Sequence, residues 1–264
     1  MNLPAPDANS AHGLLFAIET STLAGSLALF VDGVLRGECS LPAQQRRTGA
    51  LFPQIQALFA EAGASARDVK ICAYSEGPGS FTGLRIAATI ARMLALTSGC
   101  RVVAVPSLAV IAANALPQPV GTRIAVGVDA RRGELYSAVY EVSDQESAFA
   151  LQIDENVWLR ETLPVAIRTA ESLARGAQLP IIGIGAGINN ARHVFADAQW
   201  QILDAEAAQP VARTVGSIGG YLADRGAFCA TEQIVPRYVR PPECEEVFEQ
   251  RRTDALKRHE ESRS

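Results

Sequence analysis

Short continuous apolar runs alternate with helically spaced ones along this chain. Leu14 to Glu19, Ser26 to Val31 and Val34 to Cys39 read as strands, joined by Thr20-Ser21-Thr22 and by an Asp32-Gly33 hairpin turn. Leu51, Phe52, Ile55, Leu58 and Phe59 then fall on one face of a helix over 49–62, with Thr48 as its cap and Pro53 in its first turn. A strand over 69–74, a glycine-rich loop, a helix over 84–97 and a strand over 101–105 follow. Ser107 is expected to cap a short helix through Leu116. After Pro117 and Pro119 the opening pattern returns. Arg123 to Val128 and Glu134 to Val142 are strands around the turn 129–133. A helix is expected over 163–175, strands over 180–184 and 200–203, a helix over 211–228 and a closing strand over 235–239. Two hairpin-then-α/β halves therefore stand in tandem.

The divisions expected are a disordered leader over 1–13, lobe I over 14–118, lobe II over 119–204, a C-terminal helix and strand over 205–241 packing back on the lobes, and a charged tail over 242–264. The tail mixes both charge signs without a sustained apolar face.

One helix carries more apolar surface than a single core needs. Leu84, Ile86, Ala87, Ala88, Ile90, Ala91, Met93, Leu94 and Ala95 cover about 220° of it, against an ordinary stripe of somewhat over about 100°. Such a helix is expected to be covered by its own sheet and by something else. The loop before it, Ser75 to Gly83, has glycines at 77, 79 and 83. A loop of this kind can cradle phosphate, but the phosphate-loop pattern needs Lys and Ser/Thr after its last glycine, and here Leu84 and Arg85 follow. A tight turn with Ser80 or Thr82 capping the helix explains the residues as well.

Composition narrows the partners. The 264 residues are 48% hydrophobic and carry a net charge of −4, so they can bury real cores but lack the basic surplus of a stand-alone nucleic-acid binder. Cys39, Cys72, Cys100, Cys229 and Cys244 are scattered, with no Cys-x-x-Cys pair, which fits reduced thiols in a cytoplasmic protein. No run is long enough to span a membrane, and 1–13 does not resemble a signal peptide.

Candidate chemistry is sparse. His12, His193 and His259 are not at metal-ligand spacing, and no Gly-x-Ser-x-Gly elbow occurs. That argues against a metalloprotease. Glu19 and Asp129 end the matching first strands of the two halves. Two such acids can hold a metal–nucleotide complex between lobes, with Thr20 and the turn at Gly185 beside them. The turn Ala130-Arg131-Arg132, however, puts bulky side chains where phosphate would sit.

The run Glu76-Gly77-Pro78-Gly79-Ser80-Phe81-Thr82-Gly83-Leu84-Arg85 resembles the signature of the TsaB (YeaZ) family. Supporting matches are Ile18 to Thr22, Leu51 to Ile55, Val105 to Leu108, Val128 to Tyr136 and Pro236 to Arg240, in order along residues 14–241. The resemblance implies an α/β, two-lobe, actin/sugar-kinase-like (RNase H-like) duplicated fold whose nucleotide site has degenerated. Glu19, Thr20, Asp129 and Gly185 would be relics of that site, and Gly77, Pro78, Gly79 and Gly83 the structural loop. It implies a non-catalytic, cofactor-free subunit of the complex that makes threonylcarbamoyladenosine beside the tRNA anticodon. TsaD would carry the metal and active site and TsaE would join as ATPase. tRNA would be met only through the complex, and a nucleotide could sit at a subunit junction. Lobe I's two helices would pair with TsaD, or with a second copy of the chain when alone. Leu51, Ile55, Leu58, Leu84, Ala87, Ala88, Ala91, Leu94 and Ala95 are expected in that interface, with Ala91→Arg breaking it. Departures are Arg47-Thr48 in place of a common His-Ser pair and Glu19 in place of aspartate. The competing reading is an ATP-binding phosphotransferase or ATPase of the same fold, using Glu19 and Asp129.

Overall fold

In the computed structural model the described residues are 13–41, 49–142, 149–159, 181–195, 200–204, 206–239 and 252. The expected leader up to residue 12, the cap Thr48, Arg47, the helix over 163–175 and nearly all of the tail lie outside them.

The first half opens with β1 (Leu14–Glu19), β2 (Gly25–Val31) and β3 (Val34–Leu41). Asp32 and Gly33 both adopt positive φ, the geometry of a two-residue primed hairpin turn. Next come α1 (Leu51–Glu61), β4 (Val69–Gly77), α2 (Phe81–Ser98) and β5 (Arg101–Pro106). The strand order is β3-β2-β1-β4-β5, with β1 antiparallel to β2 and parallel to β4. β1 is buried at every position, as a central strand covered on both faces must be, which is why it reads as an unbroken apolar run. β3 at the edge is mostly exposed.

The second half repeats this connectivity. Its strands are β6 (Arg123–Arg131), β7 (Glu134–Val142), β8 (Phe149–Leu159), β9 (Ile181–Ile184) and β10 (Trp200–Ile202). Reading the second sheet from β8 gives β8-β7-β6-β9-β10, the same order and the same antiparallel and parallel partners. β8 was not expected from the sequence. Its charged and polar residues (Gln152, Asp154, Glu155, Asn156) hide an edge strand's pattern.

Helices α1 and α2 cover one face of the first sheet, meeting Phe16, Ile18, Leu29 and Tyr74. α5 (Ala212–Asp224) returns to the other face, where Ala212, Val215 and Ala223 join Ala17, Ala73 and Val105. Its Gly219 passes so close to Ala73 that a side chain there would strike the strand. α3 (Ser107–Ala113) links the halves: Val110 belongs to the first lobe's core, Leu108 and Ile111 to the second's. α4 (Ala186–Asn190) lies on the second sheet beside Phe195 and Trp200.

Three expectations change. Residues 235–239 form no strand; they run as an extended strap after a 3₁₀ turn at Thr231–Gln233. Ser107 does not cap α3, and its buried Oγ has no hydrogen-bond partner among the described residues. His193 sits exposed in a turn after α4 rather than on a helix.

Candidate functional site: strand-end acids and the signature loop

Glu19 ends β1 with no exposed surface. Its Oε1 accepts the Ser21 amide and the Ser21 hydroxyl, each at 2.5 Å. Its Oε2 accepts the Ser75 hydroxyl from β4. Both carboxylate oxygens are thus turned into the fold, where they fix the turn after β1 and join β1 to β4. Thr20 is as fully buried, and its hydroxyl donates to the Gly83 carbonyl at 2.7 Å. Two residues expected as relics of a nucleotide site instead hold the start of α2 in place.

Asp129 occupies the matching place in β6 and is exposed. The hairpin beyond it closes through Arg132 and Gly133, both at positive φ, which is again the tight primed turn. Gly185 adopts φ 119°, and a side chain on it would strike the Gly127 carbonyl. One on Gly187 would strike Leu135 and lie 2.9 Å from the Asp129 amide. These glycines let α4 rest directly on β6, so their positions are filled by backbone. Asn189 is committed as well, its amide donating to the carbonyls of Gly185 (3.2 Å) and Leu203 (3.1 Å).

The signature loop is a cradle for protein rather than for anion. Gly77 adopts φ 126°, and a Cβ there would lie 2.5 Å from the Arg237 carbonyl. Gly79 is pressed against the Ser21 carbonyl, which accepts the Ser80 amide at 2.6 Å. Ser80 caps α2, its hydroxyl accepting the Gly83 amide at 3.4 Å, so the capped-turn reading of this loop holds. Pro78, at the loop's tip, is buried. The strap over 235–238 lies across all of this. The Tyr74 hydroxyl donates to the Val235 carbonyl at 3.2 Å, the Arg237 amide to the Glu76 carbonyl at 2.7 Å, and Arg237 Nη1 lies 3.6 Å from Glu76 Oε1. Burial raises the Glu76 carboxyl above its ordinary range, with Arg237 opposing the shift.

α2 has two different faces. Leu84, Ala87, Ala88, Ala91 and Leu94 are at most 9% exposed and pack in the chain's own core. The expected interface set is corrected here: Leu51 and Leu58 of α1 are also buried, and only Ile55 and Ala95 are even half-buried. Apart from Met93, the broad apolar arc is largely consumed internally, by the sheet beneath and by the short 3₁₀ turns at Ala66–Asp68 and Thr231–Gln233 beside the helix. An arginine at Ala91, which has no exposed surface, would strike this core before any partner. The outward face instead presents Arg85, Thr89, Arg92, Met93 (52% exposed) and Leu96 (70%), with Phe52 (60%) on α1.

Comparison with known proteins decides the family. The chain is 30% identical over 229 residues to the tRNA threonylcarbamoyladenosine biosynthesis protein TsaB of Escherichia coli, covering 86% of this chain and 94% of that protein. The chain belongs to the TsaB family. It also superposes on an uncharacterised Pseudomonas aeruginosa protein described as similar to peptidase YeaZ (30% identity, TM-score 0.72, 86% of this chain and 100% of that one). A P. aeruginosa YeaZ structure matches at 29% identity and TM-score 0.69, over 86% of this chain and 99% of that one. Residues 42–156 match the family model of TsaD, tRNA N6-adenosine threonylcarbamoyltransferase.

For this TsaB-family chain, sequence reasoning missed the strap's role. The motifs Glu76 to Arg85 and Pro236 to Arg240 lie far apart in sequence, yet residues from the two pack against each other, which nothing in their spacing signals. Among the described residues no three His, Cys, Asp or Glu side chains gather as a metal site, and no helix is long and apolar enough to cross a membrane. Cys39, Cys72, Cys100 and Cys229 are free, and burial pushes each thiol upward, which keeps them in the unreactive protonated form.

Proposed function

We propose that this chain acts in tRNA threonylcarbamoyladenosine biosynthesis as a non-catalytic subunit. It activates a TsaD-type transferase and scaffolds a TsaE-type ATPase beside it. The observation that carries the non-catalytic reading is Glu19: a carboxylate placed to hold a metal–nucleotide complex spends both oxygens on Ser21 and Ser75 inside the fold. The partner reading is supported by the match of residues 42–156, which include α1 and α2, to the TsaD family model. Chains of related fold can pair about an approximate twofold axis, each offering the same elements to the other. The apolar residues left outside, Met93, Leu96 and Phe52, fit the centre of such a face, and a second copy of the chain would use it when the partner is absent.

Reconstitution tests this. With TsaD-type and TsaE-type subunits from the same organism, omitting this chain should collapse the yield of modified adenosine, and the chain alone should not hydrolyse ATP. Leu96→Arg should keep its stability within about 0.5 kcal/mol, being an exposed substitution. It should weaken pairing with the TsaD-type subunit at least tenfold, roughly the effect of one misplaced charge in an interface core. Full-rate modification without this chain, or ATP hydrolysis by it that Asp129→Ala abolishes, would overturn the proposal.

A further inference from the structure

Arg85 projects from the outward face of α2 and is held on two sides. Its guanidinium carbon lies 3.8 Å from the centroid of the Phe81 ring. Its Nε donates to the Tyr238 hydroxyl at 3.0 Å. The Phe81 and Tyr238 rings are themselves stacked, with centroids 5.1 Å apart and planes at 26°. Helix, signature loop and strap therefore meet in one closed triangle. Among the described residues, the guanidinium's remaining N–H donors have no acceptor.

A guanidinium locked in this way has already lost much of the rotamer freedom that binding would otherwise cost, and its free edge is the planar fork that matches a carboxylate. We propose that Arg85, positioned by Phe81 and Tyr238, is the anchor that receives an Asp or Glu carboxylate of the TsaD-type partner; this rests on the partner reading above. The surroundings favour a protein carboxylate over a nucleic-acid phosphate. Thr89, Met93 and Leu96 share this outward face, Arg92 is the one other cation of α2, and the 3₁₀ turn packed beside the helix carries exposed Glu232. A polyanion needs several free cations, whereas α2 offers only Arg85 and Arg92, the strap's Arg237 is already paired with Glu76, and Met93 and Leu96 further along the same face supply apolar surface for a protein partner. Tyr238 is a positioning residue, acting through Arg85.

Titration calorimetry of the full chain with the TsaD-type subunit provides the test. Arg85→Ala should weaken binding by about thirtyfold or more, as for truncation of a buried charge pair. Arg85→Lys should recover little of it, since an ammonium keeps the charge but neither stacks nor forks. Tyr238→Phe keeps the ring and loses the hydroxyl, so a fall of about threefold to tenfold is expected. The thermal midpoints of the Lys and Phe variants should match the wild type, which separates anchoring from a fold defect. Raising salt should weaken the wild type more steeply than Arg85→Ala. Should Arg85→Ala melt early, the Lys variant still decides. Wild-type affinity in all three variants would overturn the inference while leaving the partner reading intact. Absence of binding by the wild type would instead overturn the partner reading. Variants that bind the partner normally but lose tRNA retention would assign Arg85 to a phosphate and overturn the inference too.

Discussion

Glu19 ends β1 and Asp129 lies two residues before the end of β6, the equivalent strand of a sheet with identical connectivity, yet their surroundings differ. In the first lobe the acid is buried, and its turn is tied through Thr20 and Ser21 to the signature loop. In the second the acid is exposed, and the chain reverses at once through a two-residue turn. A duplicated fold offers the same strand end twice. What the end does is set by the turn that follows and by whatever packs over it. In the first lobe the acid is a structural bolt, and the loop it steadies leads into α2, where Arg85 is exposed.

The sharpest way to break this comparison is to remove both acids. Glu19→Ala takes the acceptor from the Ser21 amide, the Ser21 hydroxyl and the Ser75 hydroxyl, all buried. Each orphan costs about 1–3 kcal/mol, so a loss of about 3 kcal/mol in urea unfolding is expected. Asp129→Ala should change stability by about 0.5 kcal/mol or less, as exposed substitutions do. Equal losses at the two sites would mean that the lobes treat their acids alike.

Glycines sharpen the comparison at a smaller scale. Gly79→Ala would drive a methyl against the Ser21 carbonyl and to 2.8 Å from the Ser21 Cβ, for which overpacking costs about 2 kcal/mol. Gly133→Ala meets nothing within 4 Å but must hold φ +78°, a backbone cost of about 1 kcal/mol. The first should also loosen the strap, seen as faster amide exchange at Arg237, whose N–H donates to Glu76. The second should leave that amide protected. Unchanged exchange in Gly79→Ala would separate the loop from the strap.

Much of this was legible in the chain, and the failures have physical causes. The apolar runs of β1 and β4 and the Asp32-Gly33 turn were readable because local chemistry dictates them. The capped start of α2 was readable for the same reason: a serine three residues before Gly83 is the expected acceptor for its amide. The helix's wide apolar arc was also real, but a wheel reports how much surface wants cover, not what covers it. Ala87 and Ala91 let α2 sit low on the sheet, and flanking 3₁₀ turns took most of the rest of the arc, so of its residues only Met93 stays largely exposed, beside Arg85, Thr89 and Arg92 of the polar edge. The strap escaped because Val235 to Val239 has a strand's composition. Nothing local says that its carbonyls and amide pair with Tyr74 and Glu76 instead of a sheet edge.

Glu76 offers the smallest effect, with a definite sign. Burial raises its carboxyl above the ordinary value of 4.5, so in the window just above that pH the folded chain holds a proton that the unfolded chain has released. Stability from this group therefore falls as pH rises through the window and returns on acidification. The two neighbours that could add a titration, Tyr74 and Cys229, are both pushed upward by burial, away from this window. Urea midpoints of the wild type minus those of Glu76→Gln should decline with rising pH across that window. In an Arg237→Ala background, where the opposing cation is gone, the decline should extend to higher pH. Parallel curves for wild type and Glu76→Gln would show that Glu76 is not desolvated, and with it that the strap does not close over the first lobe's loop.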